Sequence, residues 1–303
     1  MDVLPAIGRV GVFSVPLEVM GRARGAEFAS ELEELGYGAI WTGEGLGTRE
    51  LFTNAAGLLA GTRRIVFGAG IANIWARDPV TTVTATRTLD ESYPGRFLLG
   101  LGISHREQVD PRGHVYARPL ATMRAYLDAM DGAAFVSPLP GEAAQTAPVP
   151  RILAALRPPM LQLAAERADG AHPYMTIPEA TATARGVLGQ GKLLAPEQAF
   201  LLETDTSEAR RIGRAYLHWY LGVENFRKSL LWQGFTEDDL DGGGSDRLVD
   251  AIVAWGDEET VRRRVAEHHD AGADHVCVQA VSDDPLAAEL EAYRRLAPAL
   301  ADL

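Results

Sequence analysis

The chain has 303 residues, of which 47% are hydrophobic, and its 41 acidic and 29 basic side chains give a formal charge of −12. This length suits a single α/β barrel of about 250 residues with insertions. The acidic balance argues against binding to nucleic acid or to an anionic membrane surface. The one cysteine, Cys277, excludes an intrachain disulfide and a thiolate metal cluster. Its apolar neighbours predict a buried structural thiol.

Membrane insertion and secretion also lack support in the sequence. No stretch is long and apolar enough to span a bilayer. The N-terminal residues lack the basic and apolar regions of a signal peptide. We therefore expect a cytoplasmic protein that binds neither membranes nor nucleic acid.

Apolar runs and amphipathic segments alternate along the whole chain. The apolar runs are predicted as strands at residues 9–15, 37–44, 65–74, 97–103, 151–156, 171–175, 198–203 and 273–281. Helices are predicted at residues 26–35, 51–62, 120–130, 159–168, 178–189, 258–271 and 285–296, with a further helix opened by Asp78-Pro79. Strands that alternate with helices are typical of parallel α/β folds.

The clearest unit runs from residue 65 to residue 105. Its two strands lack polar alternation, so both faces of each strand should be buried under helices, as in a parallel sheet or a closed barrel. Four glycines lie inside these strands, at Gly68, Gly70, Gly100 and Gly102. Glycine weakens a strand unless something approaches its backbone closely. A ligand at the strand ends and tight packing of the barrel both remain open as explanations.

Three segments interrupt the alternation. A polar loop follows His105 to residue 119, and a Pro/Ala-rich segment at residues 137–150 is predicted to be an exposed connection. A long helical region begins at Asp205 or Ser207 and runs through Trp232. With the residues after it, this region is predicted to be an insertion at about 207–255, after the seventh strand. We predict one (β/α)8 barrel domain over residues 1–303.

The sequence lacks several familiar site motifs. It has no HExxH, CxxC, acidic calcium loop or GxSxG segment, so we predict no metal site and no hydrolase nucleophile. The pair His268-His269 lies in a charged helix and is predicted to face solvent. Residues 100–104 are not a full GxGxxG fingerprint, which disfavours a Rossmann domain.

The remaining evidence for a functional site is the location of residues in the predicted barrel, because barrel enzymes build their sites at the carboxyl ends of the strands. The helix that starts after Arg157 is predicted to offer backbone N–H groups and a positive dipole end to a phosphate, with added charge from Arg157. An ordinary helix start has the same sequence, so this alternative stays open.

Several segments together resemble the bacterial-luciferase-like superfamily, and within it the deazaflavin (F420)-dependent oxidoreductases. They are residues 40–44, 68–74, 78–102, 166–174 and 256–279, of which DESYPGRFLLGLG and AGADHVCVQ are the most specific. The resemblance implies an eight-stranded barrel, often a homodimer, that binds F420 or FMN at the strand ends and transfers hydride to or from a small substrate.

Residue by residue, the resemblance implies a cofactor site. The matching positions are Glu44, Gly70, Ile71, Ala72, Asn73, Ile103, Ser104, Leu156, Arg157, Pro158 and Tyr174. Gly70-Ile71 corresponds to a bulge where the family often has a non-prolyl cis peptide behind the central ring. Glu44 corresponds to an acidic residue near the ring, and Tyr174 to a position near the cofactor tail. Residues 156–158 correspond to a phosphate-binding turn.

The departures from the family concern proton transfer. Gly45 stands where several F420 dehydrogenases have histidine, and His105 where sugar-phosphate enzymes have glutamate. We predict His105, with Glu44, as the catalytic pair, since an ordinary imidazole titrates near neutral pH. A histidine that only hydrogen-bonds the cofactor or the backbone fits equally well. The loop residues His114, Tyr116 and Arg118 either line or cover a substrate pocket or are simply exposed.

The sequence thus favours an F420-dependent oxidoreductase acting on a small molecule. Its alternatives are an FMN-dependent monooxygenase and a barrel that binds a cofactor without turnover, the latter suggested by the missing histidine at Gly45. A metal-dependent barrel hydrolase is disfavoured by the lack of ligand motifs.

Overall fold

The computed structural model of the chain describes residues 4–133, 149–283 and 285–303, the side chains of 285–289 excepted. Most of the predicted connection at 137–150 lies outside the described residues. The strands are β1 (Val10–Phe13), β2 (Ala39–Thr42), β3 (Val66–Ala69), β4 (Ala72–Asn73), β5 (Phe97–Gly102), β6 (Arg151–Ala154), β7 (Gly170–His172), β8 (Leu193–Leu194), β9 (Glu197–Leu201), β10 (Val253–Trp255) and β11 (Val276–Ala280).

Helices lie between most of these strands. They are α1 (Arg22–Glu34), α2 (Leu51–Leu59), α3 (Pro79–Ser92), α4 (Arg106–Val109), α5 (Pro119–Asp131), α6 (Pro158–Arg167), α7 (Pro178–Leu188), α8 (Thr206–Leu221), α9 (Glu224–Trp232), α10 (Glu237–Leu240), α11 (Asp246–Ile252), α12 (Glu258–Asp270) and α13 (Pro285–Leu300). None of the helices within the described ranges is long and apolar enough to cross a membrane.

All strand pairs are parallel, in the order β10-β9-β11-β1-β2-β3-β5-β6-β7-β8, and β4 also pairs with β5. Residues 193–201 join the two ends of this curled sheet. Their first part pairs with β7 and their last part with β11. Between the two, the Ala195 N–H donates to Ala171 O at 3.0 Å and the Glu197 N–H to Pro173 O at 2.9 Å. The predicted barrel is confirmed.

Side chains on the two faces of the sheet form separate apolar layers. The barrel interior holds Trp41, Leu98, Ile152 and Cys277, all nearly inaccessible to solvent. A larger cluster fills the space between the sheet and the surrounding helices. Burial of both faces explains why the strands carry no polar alternation. Cys277 is buried as predicted.

The strand predicted at residues 65–74 is divided into β3 and β4, with the Gly70-Ile71 peptide between them in the cis form. Two glycines of β5 make room for this irregular backbone. A Cβ on Gly100 would stand 2.0 Å from Ala69 O, and one on Gly102 would stand 2.3 Å from Ile71 Cγ1. Tight packing therefore explains these two glycines.

The predicted helical insertion after the seventh strand is present as α8 to α11. Its last predicted residues form β10, which pairs with β9. A three-residue strand that continues the apolar end of a helix carries no pattern of its own, so the prediction missed it. The polar loop after His105 contains α4 and a 3₁₀ turn, Asp110–Arg112.

The prediction that both histidines of the His268-His269 pair face solvent is wrong for His268. Its side chain is fully buried against the barrel, with Nδ1 2.9 Å from Thr181 Oγ1 and Nε2 2.9 Å from Gln198 Oε1. Because many residues of α12 are charged, its sequence does not readily show that one face of the helix is buried against the sheet.

Candidate functional site

A cavity of about 850 Å³ opens at the carboxyl ends of the barrel strands. Its floor includes Phe13, Gly70 and His172, and its outer wall is built from the aromatic side chains of α8 and α9. This volume is within the usual range for small-molecule and cofactor sites. The cavity is therefore the candidate functional site.

The cavity gathers most of the predicted site residues from widely separated parts of the chain. Those that line it are Glu44, Gly70, Ile71, Ile103, Ser104, His105, Leu156, Arg157 and Tyr174. Ala72, Asn73 and Pro158 do not line it. Ala72 and Asn73 are instead buried in β4, behind the cavity wall.

Glu44 is held in place by both of its carboxylate oxygens. Arg77 makes a two-pronged ion pair with it, with Nη1 2.9 Å from Oε2, and the side chains of the two residues are 8% or less exposed. The Asn73 N–H donates to Glu44 Oε2 at 2.9 Å. Arg77 also pairs with Glu50. This arrangement ties the end of β2 to β4, which positions the backbone of the Gly70-Ile71 segment.

His105 lines the cavity and has one ring nitrogen without a partner. Its ring packs against Phe226 at a centroid distance of 4.8 Å and against Trp219 at 6.3 Å. Nδ1 is buried and has no hydrogen-bond partner among the described residues. Burial lowers the pKa of His105 to about 4. The imidazole is therefore neutral at physiological pH and suits accepting a proton or a hydrogen bond.

The predicted supply of free N–H groups at the start of α6 is wrong. Its first two residues are Pro158 and Pro159, which have no N–H. The N–H groups of Met160 and Leu161 both donate to Arg157 O at 3.1 Å. The positive charge of Arg157 remains at the cavity, where its Nη2 donates to Asn225 Oδ1 at 2.8 Å.

The three residues singled out in the loop after β5 have different surroundings. Tyr116 lines the cavity, with the Arg106 guanidinium 5.8 Å from its ring centre. His114 is exposed and packs on Trp75, and Arg118 is exposed with a left-handed backbone.

Sequence reasoning missed a carboxyl at the cavity. Glu18, in a 3₁₀ turn after β1, lines the cavity and accepts the Gly45 N–H at 3.2 Å. Burial, with a smaller contribution from the charge of Glu44, raises the pKa of Glu18. No strand pattern marks this position, because the residue follows an irregular turn.

It also missed a cluster of phenols. Tyr174 OH donates to Gln279 Oε1 at 2.7 Å and lies 2.7 Å from Tyr220 OH and 3.5 Å from Tyr216 OH. Since Tyr174 has one hydroxyl hydrogen, Tyr220 is the donor in the second contact. Burial raises the pKa of Tyr220 to about 12 and raises those of Tyr174 and Tyr216 well above the ordinary value of 10, so all three remain protonated. The spacing of Tyr216 and Tyr220, four residues apart on one helix face, was the available signal.

The described part of the chain contains no cluster of side chains that could form a metal centre. Over residues 4–133, 149–283 and 285–303, no three His, Cys, Asp or Glu side chains stand close enough to share an ion.

Comparison with known proteins places this geometry in a family. Residues 10–275 match the model of the family described as luciferase-like monooxygenase. A Mycobacterium tuberculosis protein that is provisionally named a coenzyme F420-dependent oxidoreductase is 26% identical, over 85% of this chain and 90% of its own length.

Two solved structures share the fold. The coenzyme F420-dependent tetrahydromethanopterin reductase of Methanopyrus kandleri superposes with a TM-score of 0.74 at 17% identity, covering 98% of this chain and 99% of its own. The oxygenating constituent of 3,6-diketocamphane monooxygenase from Pseudomonas putida, a Baeyer-Villiger enzyme in complex with FMN, gives 0.73 at 16% identity, covering 97% and 98%. With a family match over most of its length, the chain belongs to the luciferase-like monooxygenase family.

Proposed function

We propose that this protein is an F420-dependent oxidoreductase that transfers a hydride between a deazaflavin and a small organic substrate. The observation that carries the proposal is the cavity of about 850 Å³ at the strand ends, whose lining includes Gly70 and Ile71. The relative named as an F420-dependent oxidoreductase supports the deazaflavin over other ring systems.

The residues present fit a planar heterocyclic ring. His105 and His172 both line the cavity, and each has one buried ring nitrogen, Nδ1 and Nε2 respectively, without a hydrogen-bond partner within the described part of the chain. Buried polar atoms are normally paired, so these two favour a ligand with polar groups of its own. Apolar atoms of Phe13, Ile71 and Ile103 also line the cavity and suit the flat faces of a ring.

A bound deazaflavin supplies the hydride chemistry, which leaves orientation, exclusion of water and proton handling to the protein. We assign proton acceptance to His105, because its side chain lines the cavity and its imidazole is neutral. Glu44 acts as a positioning residue in this proposal, since both of its oxygens are occupied by Arg77 and the backbone. The hydroxyl hydrogens of Tyr174 and Tyr220 are engaged within the phenol cluster, which leaves the O–H of Tyr216 as the donor to offer to a substrate oxygen.

The substrate we infer is small and largely apolar. Trp219, Tyr220 and Phe226 form the outer wall, with Phe226 at 5.0 Å from the Tyr220 ring and 6.1 Å from the Trp219 ring. Aromatic walls of this kind bury flat apolar groups well. Trp219 is 47% exposed, so it stands at the mouth of the cavity.

An FMN-dependent monooxygenase is the second candidate, supported by the fold shared with the FMN-bound oxygenating enzyme. Titration of the purified protein with F420 and, in a separate experiment, with FMN distinguishes the two through quenching of cofactor fluorescence. We expect tight binding of F420 and weak binding of FMN. The reverse result would refute the proposal, and tight F420 binding without hydride exchange would favour the non-catalytic barrel.

The homodimer stays a prediction. Light scattering coupled to size-exclusion chromatography measures it directly, and a mass of about 65 kDa, twice the 32.6 kDa of one chain, is the expected result.

A further inference from the structure

The carboxyl group of Glu18, in the 3₁₀ turn after β1, lies over two glycines of the segment that follows β2. A Cβ on Gly43 would stand 2.8 Å from Glu18 Oε1, and one on Gly45 would stand 3.0 Å from Oε2. The Gly45 N–H donates to Oε2 at 3.2 Å. The carboxyl therefore has a defined position, in space that is free because residues 43 and 45 have no side chains.

One oxygen of this carboxyl is accessible. Oε1 accepts no hydrogen bond of normal geometry from the described residues, and it is not among their buried unpaired atoms. Since an unpaired oxygen of a partly buried residue is either buried or accessible, solvent reaches Oε1. A Cβ on Gly43 would also stand 3.3 Å from Gly70 O, so Oε1 lies near the cis Gly70-Ile71 segment. Glu18, Gly43 and Gly70 all line the cavity, which gives a small ligand a path to this oxygen.

The surroundings of Glu18 favour its protonated form. Burial has the largest influence and raises the pKa of Glu18, and the charge of Glu44 adds a smaller rise. Polar contacts with the segment after β2 lower the pKa but do not cancel the effect of burial. The carboxyl group therefore keeps its proton at higher pH than an ordinary glutamate does.

The charged side chains around Glu18 do not hold it ionised. Glu44 forms its ion pair with Arg77. The guanidinium groups of Arg49 and Arg112 donate to backbone carbonyl oxygens, at 2.7 Å and 3.0 Å. No cation within residues 4–133, 149–283 and 285–303 makes an ion pair with Glu18. The proton of Glu18 is thus available to a ligand.

Reduction of a carbonyl group needs a proton donor as well as a hydride. His105 lines the same cavity, but burial lowers its pKa to about 4, so its cationic form is scarcely populated at neutral pH. Tyr220, with a pKa raised to about 12, is a far weaker acid than a carboxyl group. Glu18 is therefore the better proton donor for the reductive direction, which complements proton acceptance by His105 in the oxidative one.

We propose that Glu18 donates the proton when the protein reduces a small ketone or aldehyde in the cavity. This inference rests on the proposed function, in which a reduced deazaflavin is the hydride donor and is oxidised. As the hydride joins the carbonyl carbon, the π bond of the C=O group breaks and its electron pair takes the proton from the Glu18 O–H. The products are an alcohol and the Glu18 carboxylate, and solvent water returns a proton to Oε1.

Substitution Glu18→Gln tests the inference, because it keeps the size of the side chain and an oxygen for the Gly45 N–H but has no acidic hydrogen. The probes are reduced F420 with cyclohexanone and, separately, with benzaldehyde. We expect hydride transfer to slow about 10²-fold while the affinity for F420 is retained. The wild-type rate should fall as pH rises through the ionisation of Glu18, above the ordinary 4.5, and the variant should lack this dependence.

A matched control lies after β9. Glu203 also follows a barrel strand, is partly buried and accepts one backbone N–H, that of Asp205, at 2.8 Å. It does not line the cavity. Glu203→Gln should therefore leave the rate and its pH dependence unchanged.

Each outcome bears on the inference. A slower rate with retained F420 affinity supports it. An unchanged rate in Glu18→Gln overturns it, as does an equal loss of rate and affinity, which would indicate a structural role. A wild-type protein that binds reduced F420 but reduces neither probe also overturns it and leaves the proposed function standing. If the wild-type protein does not bind F420, the proposed function fails and the inference falls with it.

Infrared spectroscopy tests the donor without turnover. The spectrum of the wild-type protein minus that of Glu18→Gln isolates the C=O stretch of protonated Glu18, because the other buried acid, Glu197, is common to both. We expect this band at mildly acidic pH, with an intensity that falls as pH rises. It should shift as soon as D₂O replaces water, since solvent reaches Oε1. A band that is missing or that resists exchange contradicts the inference.

Discussion

A buried carboxyl in the barrel interior should make the protein less stable as pH rises. Glu197, the first residue of β9, is 1% exposed. Its Oε2 accepts the Met175 N–H at 3.1 Å, while Oε1 is buried without a partner in the described part of the chain. Burial raises the pKa of Glu197 from an ordinary 4.5 to about 8. The folded protein therefore keeps this proton at neutral pH, whereas the unfolded chain loses it.

The sign of the effect follows from proton uptake on folding. Between pH 4.5 and about 8 the folded state holds one proton more than the unfolded state, so the free energy of unfolding falls as pH rises. The slope for one proton is about 1.4 kcal/mol per pH unit, which gives at most about 5 kcal/mol over the window and about 3 kcal/mol at pH 7.

Glu197→Gln imitates the protonated carboxyl and does not titrate. We expect the variant to be more stable than the wild-type protein, by a margin that grows from pH 5 to pH 8. Urea unfolding at each pH, followed by circular dichroism, measures it. Because both proteins share all other titrating groups, the difference between them isolates Glu197. A margin that is constant from pH 5 to pH 8 would refute the reasoning.

Glu33 offers a control of opposite sign. Burial works against its ionised form, but its carboxylate accepts the N–H groups of Arg63, Arg64 and Ile65, which lowers its pKa. Its stabilising contribution is present above the ordinary pKa of 4.5 and is lost as pH falls below it. Glu33→Gln should therefore destabilise the protein at pH 5 to 8.

Three further predictions concern the cavity. Gly70→Val should lower cofactor affinity more than tenfold with the circular dichroism spectrum retained, because its side chain would meet Phe13 at the floor; unchanged affinity in the fluorescence titration would show that this backbone does not contact the cofactor. Glu44→Gln should cost about 2–3 kcal/mol in urea unfolding, since it leaves the buried Arg77 with a weaker partner; a cost below about 0.5 kcal/mol would argue against the ion pair. His105→Phe should slow hydride transfer about 10²-fold. Because burial lowers the pKa of His105 to about 4, the wild-type rate should show no histidine transition between pH 6 and 8, which a pH profile checks.

Much of the barrel could be predicted from the sequence, since strands buried on both faces appear as unbroken apolar runs. The run at residues 97–103 is β5, and the run at 273–281 contains β11. The strands β8 and β10 were not predicted, because they have only two and three residues. Strands this short form only because adjacent strands of the sheet pair with them. A local sequence pattern does not reveal that pairing.

The candidate site divides in the same way. Residues at the ends of regular strands, such as His105 and Tyr174, could be placed at the cavity from the strand pattern alone. Glu18 and Tyr220 could not, because one follows an irregular turn and the other reaches the cavity from a helix of the insertion.

The sequence by itself determined the parallel α/β architecture, the family resemblance and the edge of the sheet where a ligand would bind. Only the tertiary structure decided which side chains are free to act there. The hydrogen-bond partners of Glu44 and His172 lie 33 and 23 residues away along the chain, so the ion pair of one and the unpaired nitrogen of the other exist only after the barrel has closed. A polar side chain is available for chemistry when its polar atoms have no hydrogen-bond partner within the protein. Distant parts of the chain supply such partners, so the sequence pattern alone does not show which atoms stay unpaired.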